Sequence, residues 1–184
     1  LVERVVPLAQ YYLTVVRFTE LRQQYEFRLV LCHGMYEFGL VNHALCSAMD
    51  EMLREYLILI AQLESEAVQA QLTLQRVWFY IQPAMQTLRV LSNLCLAIET
   101  NSPLGAAASR TAGSGSRALR GGALLNVLIE HSAAAGGEQH SAKLFEFLVE
   151  RAATPYLGML EKWLYQGVVD DPYRTSGMLG TWLY

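Results

Sequence analysis

Residues 40–63 read LVNHALCSAMDEMLREYLILIAQL, and their spacing decides the fold. Val41, Ala44, Leu45, Ala48, Met52, Tyr56, Leu59 and Leu63 recur at three- and four-residue steps, which places them on one face of an α-helix. Asp50, Glu51, Arg54 and Glu55 take the wet side. Asp50 and Arg54, four residues apart, can form a weak ion pair there. The Leu/Tyr/Met stripe could serve as a partner-binding face, but such a stripe more often packs into the core of its own bundle.

Working outward, Val2, Val5, Val6, Ala9, Leu13 and Val16 form a second apolar helical face, with Pro7 inside the pattern. The proline should kink that helix or start a new one at Leu8. A third helical stretch runs from about Gln71 to Glu99 and is interrupted by Pro83. Two helices, or one sharply kinked helix, are expected to meet near Tyr80-Ile81-Gln82.

Asn101 to Gly122 is rich in Gly, Ala and Ser, with Arg110, Arg117 and Arg120 among them. It offers too little apolar surface to stay ordered and reads as a disordered linker. Ala123 to His131 reads as a short apolar helix, and Gly136-Gly137 as a second flexible patch. Ser141 is placed as an N-cap for a helix carrying Leu144, Phe145, Leu148 and Val149. Thr154-Pro155 supplies an N-cap and first-turn proline for a last helix. That helix stops at Gly167, and Pro172 forbids continuation. Trp163, at helical spacing with Leu160 and Leu164, is expected in the core. No stretch alternates as a strand would, and no strict repeat is present. The expected fold is all-α, an elongated helical bundle with a disordered Gly/Ala/Ser-rich linker.

Composition narrows the function classes. The 184 residues suit one ordinary domain or part of a larger one, and 53% hydrophobic content is too high for a disordered chain. The net charge is −3, and the basic residues are scattered and mostly Arg, which argues against a nucleic-acid surface. The longest apolar run, Tyr56-Leu57-Ile58-Leu59-Ile60-Ala61, is too short to span a bilayer, so no membrane partner is expected. Cys32, Cys46 and Cys95 are odd in number, far apart and in apolar contexts, so they read as buried free thiols in a reducing compartment. No charged-then-apolar leader segment and no Asn-x-Ser/Thr acceptor are visible, and cytoplasmic residence is expected.

Candidate chemistry is thin. Cys32-His33 are adjacent, and adjacent residues do not align as nucleophile and base. His33, His43, His131 and His140 lack zinc-ligand spacing, and His43 reads as a packed or capping histidine. Gly113-Ser114-Gly115-Ser116 follows no strand, and no Gly-Lys-Ser/Thr appears anywhere, so a phosphate loop is excluded. Glu64 and Glu66 read as helix-surface charges. No catalytic residue, metal ligand or cofactor site is expected, and the residues of a protein interface are not legible.

Several stretches taken in order resemble the γ-tubulin complex component family. Leu1-Val2-Glu3-Arg4-Val5-Val6-Pro7-Leu8-Ala9 with Val15-Val16-Arg17-Phe18 looks like the start of the family's first grip motif. Gly39 to Leu45, followed by Arg54-Glu55-Tyr56-Leu57-Ile58-Leu59, looks like its next helix. Trp78-Phe79-Tyr80-Ile81-Gln82-Pro83-Ala84-Met85 is also similar to the family, although its component 3 branch carries a different pattern there. Ala153-Thr154-Pro155-Tyr156 through Asp171-Pro172-Tyr173, with Glu161-Lys162-Trp163-Leu164-Tyr165-Gln166-Gly167 between them, resembles the family broadly.

The resemblance implies residues 1–173 as part of an N-terminal grip-type helical domain. Tyr25-Glu26-Phe27 recurs as Tyr36-Glu37-Phe38, so 28–38 looks inserted, and 174–184 is a divergent tail. It also implies a helical scaffold and not an enzyme, with no cofactor. Such scaffolds hold γ-tubulin in a small complex and, in larger rings, in a helical array that templates microtubule growth. The N-terminal grip region would pack laterally on neighbouring components, chiefly component 3. γ-Tubulin would be bound through the full-length protein, by a C-terminal region this chain does not match. The implied location is the cytoplasm and cytoskeleton, at a microtubule-organising centre such as the centrosome or spindle pole. The alternative is a generic helical adaptor or tethering-type bundle with unrelated partners.

Overall fold

Three- and four-residue apolar spacing becomes helix throughout the computed structural model, which describes residues 2–30, 39–69, 72–101, 119 and 121–168. Helices α1 (Val2–Val30), α2 (Gly39–Val68), α3 (Leu74–Asn101), α4 (Gly121–Ala134) and α5 (Gln139–Gln166) make up nearly all of them, and no strand occurs among the described residues. The all-α expectation holds. Most of the expected insertion at 28–38, the body of the linker at 101–122 and the tail at 174–184 lie outside the described residues. Arg28 to Val30 continue α1, and Gly121 and Gly122 open α4, one buried and the other exposed.

α2 is the central element. It packs most extensively on α5 and also on α1 and α4, while α1 in turn lies against α3. The Tyr12 and Tyr56 rings sit 5.5 Å apart and Gln23 Nε2 donates to the Asp50 carboxylate, so α1 and α2 run antiparallel.

Neighbours on two sides give α2 a wider buried arc than one stripe. Val41, Leu45, Ala48, Leu63 and Cys46 are buried as expected, but so are Asn42, Met49 and Leu53, while Ala44, Met52, Tyr56 and Leu59 are only half-buried. Asp50 turns to α1 and Glu51 reaches across to Arg151 of α5 at 3.5 Å, an exposed pair of small energetic weight.

α1 corrects the reading of its face. Leu8, Val15, Phe18, Thr19 and Arg22 are the buried positions, whereas Val6 and Leu13 are 52% and 63% exposed and Ala9 also faces solvent. The sequence carries two apolar registers here, and the bundle buries the one containing Phe18, the largest apolar side chain on offer.

Pro7, Pro83 and Pro155 each sit inside a helix. α1 runs through Pro7, α3 through Pro83 and α5 through Pro155, so no second helix starts at Leu8, near Gln82 or at Thr154. Each proline removes one backbone donor, a cost of about 3 kcal/mol in a helix interior. Core packing offsets it, with Ile81 and Leu88 around Pro83 and Ala152 just before Pro155. The threonine hydroxyls bond locally: Thr87 Oγ1 donates to the Pro83 carbonyl at 3.1 Å and Thr154 Oγ1 to the Glu150 carbonyl at 2.8 Å. Thr154 is therefore a mid-helix residue. Ser141 is not an N-cap either, because α5 begins at Gln139 after Glu138, and buried Ser141 donates from Oγ to the Glu138 carboxylate at 2.7 Å. Gly167 does end the helix, with φ 67° and its N–H bonded to the Trp163 carbonyl at 3.0 Å.

Buried Asn42 donates from Nδ2 to the Leu119 carbonyl at 2.8 Å, tying the approach to α4 onto α2. Asn42→Ala removes that donor from a part-buried carbonyl and is expected to cost about 1–3 kcal/mol in urea denaturation. A loss below about 0.5 kcal/mol would show that the bond does not hold the two elements together.

Candidate protein-interaction surface

Among the described residues, the buried polar side chains are Thr19, Arg22, Asn42, Ser92 and Ser141. Arg22 of α1 lies 3.4 Å from the centroid of the Phe18 ring and donates from Nη1 to the Phe18 carbonyl at 3.4 Å. It sits within electrostatic reach of Cys46 on α2 and of Cys95 and Glu99 on α3. Burial lowers the pKa of its guanidinium from the ordinary value, and those groups pull it back up. Burial pushes the Cys95 thiol up to about 12. A thiol held protonated at neutral pH is a poor nucleophile and metal ligand. Cys46 and Cys95 are buried free thiols, as expected; Cys32 lies outside the described residues.

The described histidines, His43, His131 and His140, do not converge. His43 is half-buried at the α2–α5 seam beside Leu40, Ala44 and Pro155. His131 stacks on Phe145 with centroids 6.2 Å apart, and His140 Nε2 is 2.9 Å from Thr87 Oγ1. His33 and Gly113 to Ser116 lie outside the described residues. Glu64 is exposed and Glu66 half-buried. Among the described residues, no group of three or more His, Cys, Asp or Glu side chains could hold a metal ion, and no helix is long and apolar enough to cross a membrane.

Exposed apolar side chains are spread over the described helices, Leu57, Ile58, Phe79, Leu96 and Ile129 among them, and three apolar surfaces are grouped. The first is the outward face of α1, where Val6, Ala9 and Leu13 follow one another at helical spacing, with Arg17 and Glu20 further along the same face. The second is the end of α5 beyond Ala152, the last fully buried residue of that helix. Leu157, Trp163, Leu164 and Tyr165 are all exposed there. Trp163 is 47% exposed, so it is not a core anchor: the helix outruns the bundle, and its last turns have little to pack on. The third is a groove of about 510 Å³ between α2, α3 and α5. Met52, Tyr56, Leu59, Leu88, Leu91, Leu144 and Phe147 form its apolar walls, with Glu55, Thr87, His140 and Lys143 also lining it.

Sequence reasoning missed the exposure of the α1 and α5 surfaces, whereas Met52, Tyr56 and Leu59 of the groove belong to the α2 stripe already read as a possible partner-binding face. The α1 surface was detectable from its two competing registers: Leu8, Val15 and Phe18 repeat as regularly as Val6, Ala9 and Leu13. A helix apolar on two faces can bury one in its own bundle and still present the other.

Comparison with known proteins agrees with the architecture. The family described as gamma tubulin complex component N-terminal matches residues 1–176. Gamma-tubulin complex component 2 of Mus musculus is 36% identical over 173 residues, which cover 94% of this chain and 16% of that relative. The Arabidopsis thaliana protein of the same name is 33% identical, with 94% and 22% covered. Spindle pole body component alp4 of Schizosaccharomyces pombe is 26% identical over 196 residues, with 90% and 23% covered. The chain thus spans under a quarter of the length of these relatives. The component 2 names accord with the resemblance read at Trp78 to Met85. Helical architecture, family match and ordered motifs agree, and the chain belongs to the γ-tubulin complex component family, within its N-terminal region.

Proposed function

We propose that this chain is a scaffold segment of a γ-tubulin complex, packing laterally on neighbouring components and so supporting microtubule nucleation at a microtubule-organising centre. Component 3 is the proposed neighbour. γ-Tubulin is bound by parts of the full-length protein that this chain does not match, and the location is the cytoplasmic cytoskeleton, at a centrosome or spindle pole. Residues 1–173 act as part of a grip-type domain. The mechanism is steric: rigid helix faces fix the distance and angle between neighbours, and with them the spacing of the γ-tubulins they carry.

The observation that supports this reading within the family is the second apolar face of α1. Val6 and Leu13 are more than half exposed on a helix whose opposite register is already buried. Burying such a face against a neighbour yields roughly 25 cal/mol per Å² of apolar area before the costs of association. The test is a binding assay of the purified chain against purified component 3 and, separately, against γ-tubulin. Binding to component 3 at about micromolar or tighter, with none to γ-tubulin, is expected. Binding to γ-tubulin alone overturns the division of roles, and binding to neither by a folded chain favours a generic helical adaptor.

A further inference from the structure

We infer, resting on the reading of this chain as a segment of a longer component, that residues 157–168 at the end of α5 are buried by apolar helices of the same full-length protein lying outside these 184 residues. α5 is then a strut shared by two helical cores. Only two charged side chains, Glu161 and Lys162, occur in 157–168. From Glu161 onward every residue of that stretch is exposed, Leu164 by 67% and Tyr165 by 84%.

The placement of the apolar groups around the helix selects the occupant. Leu157, Leu160 and Leu164 share one face. Trp163 and Tyr165, two positions apart, are separated by about 200° around the axis and flank that face on opposite sides. The apolar arc therefore takes in more than half the circumference. A neighbour laid against one side covers the leucines and leaves one ring in water. A helix apolar around most of its girth is stabilised when other helices surround it, as in the core of a domain.

Size points the same way. The helical turns from Leu157 to Gln166 are about 15 Å long and 10–12 Å wide, so each side offers under roughly 200 Å². A partner in a stable complex of separate molecules contributes about 800 Å². A separate protein or a second copy held by this stretch alone falls well short. A segment of the same chain avoids most of the association cost, because its tether holds it at about millimolar effective concentration. Chain length for a further core exists in the relatives, of which this chain covers 16% to 23%. Leu144, Phe145 and Leu148 anchor the other half of the same helix in the bundle. α5 is unbroken through Pro155 and roughly 42 Å long, so sharing it fixes the direction of the second core relative to the first.

Hydroxyl-radical footprinting, read at single residues by mass spectrometry, compares the 184-residue chain with the full-length protein. Each is measured alone and dilute enough to be monomeric, so the result does not depend on whether component 3 binds. Trp163, Leu164 and Tyr165 should react freely in the chain and at least about fivefold more slowly in the full-length protein, with exposed Leu13 of α1 as the reference. Leu164→Glu should leave the melting temperature of the chain unchanged and lower that of the full-length protein by about 3 °C or more. Equal reactivity of the three residues in both proteins would overturn the inference. So would protection already complete in the 184-residue chain, protection that vanishes on dilution and so marks a second copy, or a full-length Leu164→Glu that melts like its parent.

Discussion

Phe18→Ala is expected to destabilise the fold by about 3–5 kcal/mol, which is much of the total stability of a domain this size. Phe18 is 1% exposed, on the inner register of α1. Its ring also supports the Arg22 guanidinium at 3.4 Å, a cation–π contact shielded from water, and such desolvated contacts reach about 2 kcal/mol. Truncation leaves a cavity at the α1 packing face and a buried cation without its aromatic partner, so the two losses add. Urea denaturation followed by circular dichroism gives the difference. Trp163→Ala is the control. The larger ring sits 47% exposed beyond the bundle, and its loss should fall within about 0.5 kcal/mol of the parent. If Trp163→Ala were the more damaging variant, the burial assigned to these two aromatics would be wrong.

Alkaline pH should expose the Cys95 environment. The thiol is fully buried, and desolvation raises its pKa from near 9 to about 12; Arg22 opposes the shift, while Cys46 and Glu99 add to it. The unfolded chain ionises this thiol from about pH 9 upwards, while the folded chain keeps its proton. The native state therefore binds more protons in that interval, and stability falls as pH rises. The loss approaches about 1.4 kcal/mol per pH unit between pH 9 and 12, with none from this group below the unfolded value. Tyr56, raised by burial and by Tyr12, contributes in the same direction at the upper end. Stability curves for the parent and Cys95→Ala should diverge in slope only above pH 9. Parallel curves would show that the thiol is accessible to water. Reaction of Cys95 with a thiol reagent should likewise require unfolding.

What was legible in the sequence was local. Helical periodicity identified every described element as helical, and Gly167 stopped α5 through the positive-φ cap that its position suggested. What was not legible depended on neighbours. Pro83 and Pro155 look like helix ends because the chain-local cost is real; the helix continues through Pro83 with buried Ile81 and Leu88 on either side, and through Pro155 with core packing up to Ala152 before it. A stripe on α2 was found, but a helix flanked on two sides buries an arc, so Asn42 and Met49 were assigned to no face. On α1 both registers are apolar, and only the placement of α2 and α3 decides that Leu8, Val15 and Phe18 go inside. Trp163 was misplaced for the same reason: helical spacing shows which residues share a face, but not how far along the helix the bundle extends.

α1 is two-faced: one register holds the bundle, and the other is the proposed contact with a neighbour. A calorimetric titration of Leu13→Glu against component 3, beside a thermal melt of the same sample, tests it most directly. Leu13 is 63% exposed. The account predicts a melting temperature within about 2 °C of the parent, as for a surface substitution, together with a loss of binding of at least about tenfold from a charge buried in an apolar interface. Leu13→Glu that binds component 3 as tightly as the parent, while melting at the same temperature, would contradict it.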